Sequence, residues 1–166
     1  MFNDIVIINN FYKSYYSWND FLLFFNHSLT IERTENSPKS HAPKTIGHVN
    51  FWHDLTFTID NLTDAYFNNL TELTKTLELI TGRACVGKFA AISLTTIEPT
   101  TGIHSDPVNV GYLSCIGEVE WRVYLDEEVK TYRLLEGDII FIPANITHEV
   151  MSKTPRAAIS FMFGQA

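Results

Sequence analysis

The sequence predicts an α+β fold in which N-terminal helices pack on one face of an antiparallel β-sandwich or small barrel. Three observations lead there. Apolar residues at helical spacing occur only before Gly82. After Gly82 the chain breaks into short apolar or alternating runs, roughly eight of them, separated by turn residues and by no helical stretch, which excludes parallel βαβ units. With 166 residues, 45% hydrophobic and 13% aromatic, the chain can bury a core without disulfide or metal staples. It reads as a single domain over residues 1–166, with a strand, helices and a possible lid loop in 1–83 and the barrel core in 84–166.

Each element has a local reason. Ile5-Val6-Ile7-Ile8 is a continuous β-branched run closed by Asn9-Asn10 and reads as a buried strand. Ser17-Trp18-Asn19-Asp20 has the form of a capping box, and Trp18, Phe21, Leu22, Phe25 and Leu29 follow as an apolar stripe at helical spacing. Residues 32–48 are polar, contain Pro38 and Pro43, and read as a long loop that could serve as a lid. Residues 49–59 fit neither period cleanly. Residues 63–80 predict the clearest helix: Phe67, Leu70, Leu73, Leu77 and Ile80 recur at three- and four-residue steps, and Gly82 supplies the stop. Strands are expected at 84–96, 103–106, 110–115, 119–125, 130–134, 138–142, 147–151 and 156–163. Turns are expected at Glu98-Pro99, Gly117, Asp126-Glu127-Glu128, Glu136-Gly137 and Thr154-Pro155.

Composition narrows the function classes. A net charge of −7 argues against a broad phosphate-binding surface, so nucleic acid is not an expected partner. Cys85 and Cys115 lack metal-ligand spacing and read as free thiols in a reducing compartment. The opening Met1-Phe2-Asn3-Asp4-Ile5 has no basic stretch ahead of an apolar one, and no run approaches the ~18 apolar residues of a membrane span. A cytoplasmic location without membrane contact is expected.

The chemistry is concentrated between Gly102 and Phe163. His104-Ser105-Asp106 places an imidazole and a carboxylate at i and i+2, hence on one face of an extended segment. His148 lies in a later strand-like segment, Thr147-His148-Glu149-Val150. If the two segments are neighbours, three ligands converge on one side of a metal, and two histidines with one carboxylate are the facial set of non-haem Fe(II) sites. The last expected strand has two faces. Ala157, Ile159, Phe161 and Phe163 suit packing against helices, whereas Arg156, Ala158, Ser160 and Met162 look like a pocket wall carrying a cation. An arginine inside a barrel is costly unless it meets an anion, and a dicarboxylate would supply one by bidentate pairing. Ser160 shares that face, and alternation from His104 through Val110 brings Tyr112 toward the same carboxylate. Residues 151–155 read as a hairpin turn that would return Arg156 to one strand spacing from His148.

These residues, together with Gly111-Tyr112-Leu113-Ser114, Gly137-Asp138-Ile139-Ile140-Phe141-Ile142-Pro143 and Arg156-Ala157-Ala158-Ile159-Ser160-Phe161, resemble the Fe(II)/2-oxoglutarate-dependent oxygenases, most closely their prolyl-hydroxylase-like branch. The opening strand leading into a helix is similar as well. The resemblance implies a double-stranded β-helix, the cupin-like jelly roll, with His104, Asp106 and His148 as iron ligands. It also implies Arg156 as the partner of the distal 2-oxoglutarate carboxylate, with Tyr112 and Ser160 as hydrogen-bond donors. The activity implied consumes Fe(II)-bound O2 and 2-oxoglutarate, hydroxylates a substrate, and releases succinate and CO2. Gly117 followed by Trp121 is similar to the jumonji and cupin branches; where many jumonji-type members carry a lysine two residues after that glycine, this chain has Val119, which favours Arg156 as the anchor. The segment between Asp106 and Tyr112 is shorter than usual, and a Gly-Gly pair is reduced to Gly117.

Two other classes compete: a cupin-type metalloenzyme that does not use 2-oxoglutarate, and a metal-free binding barrel in which His104 and His148 are ordinary polar residues. His48 and His53 have no evident third ligand and read as packed or surface side chains. The substrate stays open among a peptidyl residue, an amino acid, a nucleobase and a small metabolite, and so does the oligomeric state.

Overall fold

The capping box forms, and with it the first helix. Ser17 N–H donates to Asp20 Oδ2 at 2.7 Å while Asp20 N–H reaches Ser17 Oγ at 3.4 Å, and α1 (Trp18–Thr30) begins there. A computed structural model describes residues 4–13, 16–30, 44–46, 49–53, 56–94 and 102–164. The second helix, α2 (Leu70–Thr81), starts later than the periodicity predicts, because residues 64–69 are turns and Asn69 adopts the left-handed region at φ 63°. Its N-terminus is capped from upstream: Thr71 N–H donates to Asp64 Oδ1 at 2.9 Å and the Thr71 hydroxyl bonds Asp64 Oδ2. Gly82, at φ 67°, ends it as expected, its N–H donating to the Glu78 carbonyl.

The strands are β1 (Val6–Ile8), β2 (Lys44–Ile46), β3 (Val49–His53), β4 (Thr56–Asp60), β5 (Cys85–Ser93), β6 (Asn109–Ile116), β7 (Val119–Leu125), β8 (Glu128–Leu134), β9 (Ile139–Ile142), β10 (Thr147–Ser152) and β11 (Arg156–Phe163). They form a large sheet of order β1-β9-β6-β11-β5-β4-β3-β2 and a small one of order β10-β7-β8, paired antiparallel. From β6 onward the chain crosses repeatedly between the sheets: β6 large, β7 and β8 small, β9 large, β10 small, β11 large. That winding is the double-stranded β-helix, the cupin-like jelly roll.

Two cores follow from strand alternation. On the outer face of the large sheet, Ala157, Ile159, Phe161 and Phe163 pack with Phe21 and Phe24 of α1 and Leu70, Leu73 and Leu77 of α2, as the sequence predicts. Phe67 sits among Tyr16, Phe21 and Phe24 at ring-centroid distances of 5.3, 5.0 and 5.4 Å. Between the sheets lies a second core that includes Val110, Tyr112, Trp121, Val123, Ile140, Val150 and Ala158.

Several expectations change. The ambiguous 49–59 stretch forms the β3–β4 hairpin, and β2 lies inside the expected loop; β1 and β4 join the large sheet directly, through β9 and β5. Most of the expected lid, the turn at Glu98-Pro99 and the side chains of His48 and His53 lie outside the described residues. The strand expected at 103–106 shrinks to an isolated bridge between His104 and His148. The expected β10–β11 hairpin is wrong: residues 153–155 carry the chain from the small sheet to the large one, where β11 pairs with β5 and β6. Turn residues announce a reversal without saying which sheet receives the next strand. No helix among the described residues is long and apolar enough to cross a membrane.

Candidate metal centre and its neighbouring cation

The His104–His148 bridge fixes the two imidazoles relative to one another. His104 N–H donates to the His148 carbonyl at 2.9 Å and His148 N–H to the His104 carbonyl at 2.8 Å, which sets the ring centroids 4.5 Å apart. Each Nδ1 lies 2.9 Å from a carbonyl oxygen two residues upstream, Gly102 for His104 and Ile146 for His148. A carbonyl only accepts, so each Nδ1 carries a proton, and in the neutral ring this tautomer leaves the lone pair on Nε2. Asp106 is held by its own backbone, whose carbonyl accepts from Asn145 N–H at 2.7 Å. Its Oδ2 lies 3.5 Å from His148 Nε2. One donor atom from each of His104, Asp106 and His148 falls within 4.8 Å of the others.

These distances suit a metal. Adjacent corners of an octahedron with bonds of about 2.1 Å are about 3 Å apart, so a small inward adjustment closes the set on one ion. Burial holds the His148 imidazole below its ordinary range; the Ile146 carbonyl opposes that shift, His104 adds to it and Asp106 pulls against it. The ring is neutral at pH 7, so its approach to Asp106 is two lone pairs converging, not an ion pair. On the opposite face of β10, the Glu149 carboxylate accepts from Tyr124 at 2.8 Å and from Arg122 at 3.4 Å, both on β7. That clamp locks the strand so that His148 points inward.

The predicted cation faces the same interior. Arg156 is 3% exposed; its Nε donates to Ser152 Oγ at 2.8 Å and its Nη1 donates to the Tyr112 hydroxyl oxygen. Tyr112 is pushed up to about 12 by burial, against the pull of Arg156, so its hydroxyl keeps a proton to donate. Ser160 is buried and stands directly across from Tyr112 in the β11–β6 register. All six residues singled out in the sequence therefore face one interior. They form a row: His104 meets His148, His148 meets Trp121 at a centroid distance of 5.0 Å, Trp121 meets Tyr112 at 5.0 Å, and Tyr112 bonds Arg156.

Two members escaped the sequence reading. Ser152 reads from sequence as part of a turn, yet it lies four residues after His148 on one strand, which puts both on one face. Trp121 was noted only for its spacing from Gly117; inward alternation from Val119 would have found it. Trp121 Nε1 is, among the described residues, the buried side-chain nitrogen or oxygen that lacks a hydrogen-bond partner. Leaving such a donor unmet costs about 1–3 kcal/mol.

No protein-family model matches the sequence, and no curated protein matches it. Solved structures do match by shape. A structure of Escherichia coli YcfD covers 99% of this chain and 50% of its own, with a TM-score of 0.66 at 16% identity. YcfD, described as a ribosomal oxygenase, in complex with cobalt and 2-oxoglutarate covers 98% and 48%, with a TM-score of 0.64 at 20% identity. Its complex with cobalt and succinic acid gives 98%, 48%, 0.63 and 17%. The chain spans about half the length of these proteins. It shares their fold, with the strands wound as a cupin-like jelly roll.

Proposed function

We propose that the protein is an Fe(II)- and 2-oxoglutarate-dependent oxygenase that hydroxylates a peptidyl residue, an amino acid or a small metabolite, with release of succinate and CO2. The observation that supports this most is one barrel interior holding both a His104–Asp106–His148 set within 4.8 Å and a buried arginine, Arg156. In this reading His104 and His148 hold the metal through Nε2 and Asp106 through a carboxylate oxygen. When bound, iron supplies the O2 chemistry that no side chain here can perform. The rest is the work of the chain. Three protein donors gathered on one side of the site would leave the opposite side open to an oxoacid. Arg156 holds the distal carboxylate by charge-assisted hydrogen bonds, and Tyr112 and Ser160 donate to it. Val110, Val123 and Ala158 line the interior with apolar surface that excludes water. No side chain needs to act as a general base, and none is assigned. The whole chain acts as one domain in this account, and its two free cysteines fit a reducing cytoplasm.

The test is anaerobic titration with Fe(II) and then 2-oxoglutarate, followed by air. A weak visible charge-transfer band and then succinate are expected. No band in metal-replete protein contradicts the proposal. Retained metal without succinate would favour a cupin metalloenzyme that does not use 2-oxoglutarate, and no retained metal a binding barrel.

A further inference from the structure

We propose that Trp121 is a further ligand-binding residue of this pocket, its indole N–H donating a hydrogen bond to an oxygen of the anionic cosubstrate held by Arg156; this rests on the 2-oxoglutarate reading above.

On β7, Val119, Trp121 and Val123 face the interior, while Glu120, Arg122 and Tyr124 face out. Trp121 pairs in register with Val150 of β10 and Tyr132 of β8, so its ring stands beside the strand that carries His148. The indole is 2% exposed and lies between two members of the site, tilted 33° to His148 and edge-on to Tyr112 at 71°.

Phenylalanine would supply a smaller apolar ring here; what tryptophan adds that can bond a ligand is an N–H that can only donate. Buried donors are nearly always met, and this one has no partner among the described residues. The apolar core offers it nothing. What passes in front of it, in the proposed function, is an oxoacid with one end on the metal and the other at Arg156. A molecule in that position runs along the row from His148 to Tyr112, the span that Trp121 covers.

The donor is closed to solvent while Arg156 donates to the Tyr112 oxygen. A carboxylate that accepts from both the guanidinium and the hydroxyl takes the place of that bond, and a ligand oxygen then meets the indole N–H. The indole is neutral, so it strengthens the grip on the ligand without adding charge; the anion's charge is matched by Arg156 and the metal alone. This makes Trp121 a selector for ligands with an oxygen in the middle of the row.

Two readouts test it, the first on protein loaded with diamagnetic Zn(II), because paramagnetic Mn(II) would broaden away the resonance of an indole beside the metal, and the second on the Mn(II)-loaded protein. The first is NMR of protein labelled with 15N at its three tryptophans, with Trp121→Phe identifying the Trp121 indole peak. Should that variant not fold, Trp18→Phe and Trp52→Phe identify it by elimination. Titration with 2-oxoglutarate is expected to move the Trp121 indole proton downfield. The second is calorimetry: Trp121→Phe is expected to bind Mn(II) like the wild type and 2-oxoglutarate about tenfold or more weakly. An unmoved indole resonance, or equal 2-oxoglutarate affinity in the variant, overturns the assignment and leaves the cosubstrate reading standing. Wild-type protein that holds Mn(II) yet binds no 2-oxoglutarate removes both.

Discussion

Two backbone carbonyls decide what His104 and His148 can do. By accepting from Nδ1, Gly102 and Ile146 leave Nε2 as the ligand atom of each ring, and that of His148 lies 3.5 Å from Asp106 Oδ2. If those three side chains share one ion, saturating Mn(II) at about 100 times Kd should stabilise the fold by about 2.7 kcal/mol, raising Tm by about 5–10 °C for a chain of this size. His104→Ala and Asp106→Ala should each lose that rise in a thermal-shift assay. A wild-type rise in Asp106→Ala would remove the carboxylate from the set. This cluster was legible in the sequence because His-x-Asp is a local pattern and His148 carries its strand context with it. Ser152 and Trp121 were not, because their roles depend on which faces meet across two sheets.

At the scale of elements, caps and turns carry the testable consequences. The start of α1 could be read directly, since Ser17 and Asp20 satisfy each other within four residues. The start of α2 could not: Asn69 in the left-handed region breaks the helix, and the cap comes from Asp64, seven residues before Thr71. The Thr71 hydroxyl, and then its N–H, holds Asp64 below the usual carboxylate range. A folded pKa below the unfolded value of about 3.9 means that the contribution is present above that pH and lost as pH falls through the folded value. Asp64→Asn should therefore lower Tm at neutral pH, with the gap to wild type closing below about pH 4; a constant gap down to about pH 2 would contradict this capping role. Gly117, at φ +78°, turns β6 into β7. A Cβ there would run into the Pro155 carbonyl and the Thr154 hydroxyl and stand 3.3 Å from Arg156 Cα. Gly117→Ala is expected to cost about 1–3 kcal/mol, read as a fall in Tm of about 2–4 °C per kcal/mol. Unchanged Tm would show that the turn yields freely.

For the whole molecule, the arrangement of sheets explains why two chemistries meet. β10 in the small sheet brings His148, β11 in the large sheet brings Arg156, and the crossing at residues 153–155 sets them on facing walls. Helical packing on the outer face of the large sheet buries that face separately, so the space between the sheets can combine an apolar lining with the polar side chains of the site. The α+β class, with an antiparallel sandwich or small barrel, was readable from periodicity and turn residues; the double-stranded β-helix was implied only by the family resemblance. Which strands share a sheet was not readable, because antiparallel alternation looks the same in either. The central claim is that one metal and one arginine together hold a dicarboxylate. Calorimetric titration of 2-oxoglutarate, with and without Mn(II), into wild type and Arg156→Gln tests it most directly. The account predicts binding that requires Mn(II) and weakens by about tenfold or more in Arg156→Gln, with Mn(II) affinity kept. Binding that ignores the metal, or is indifferent to Arg156→Gln, would contradict it.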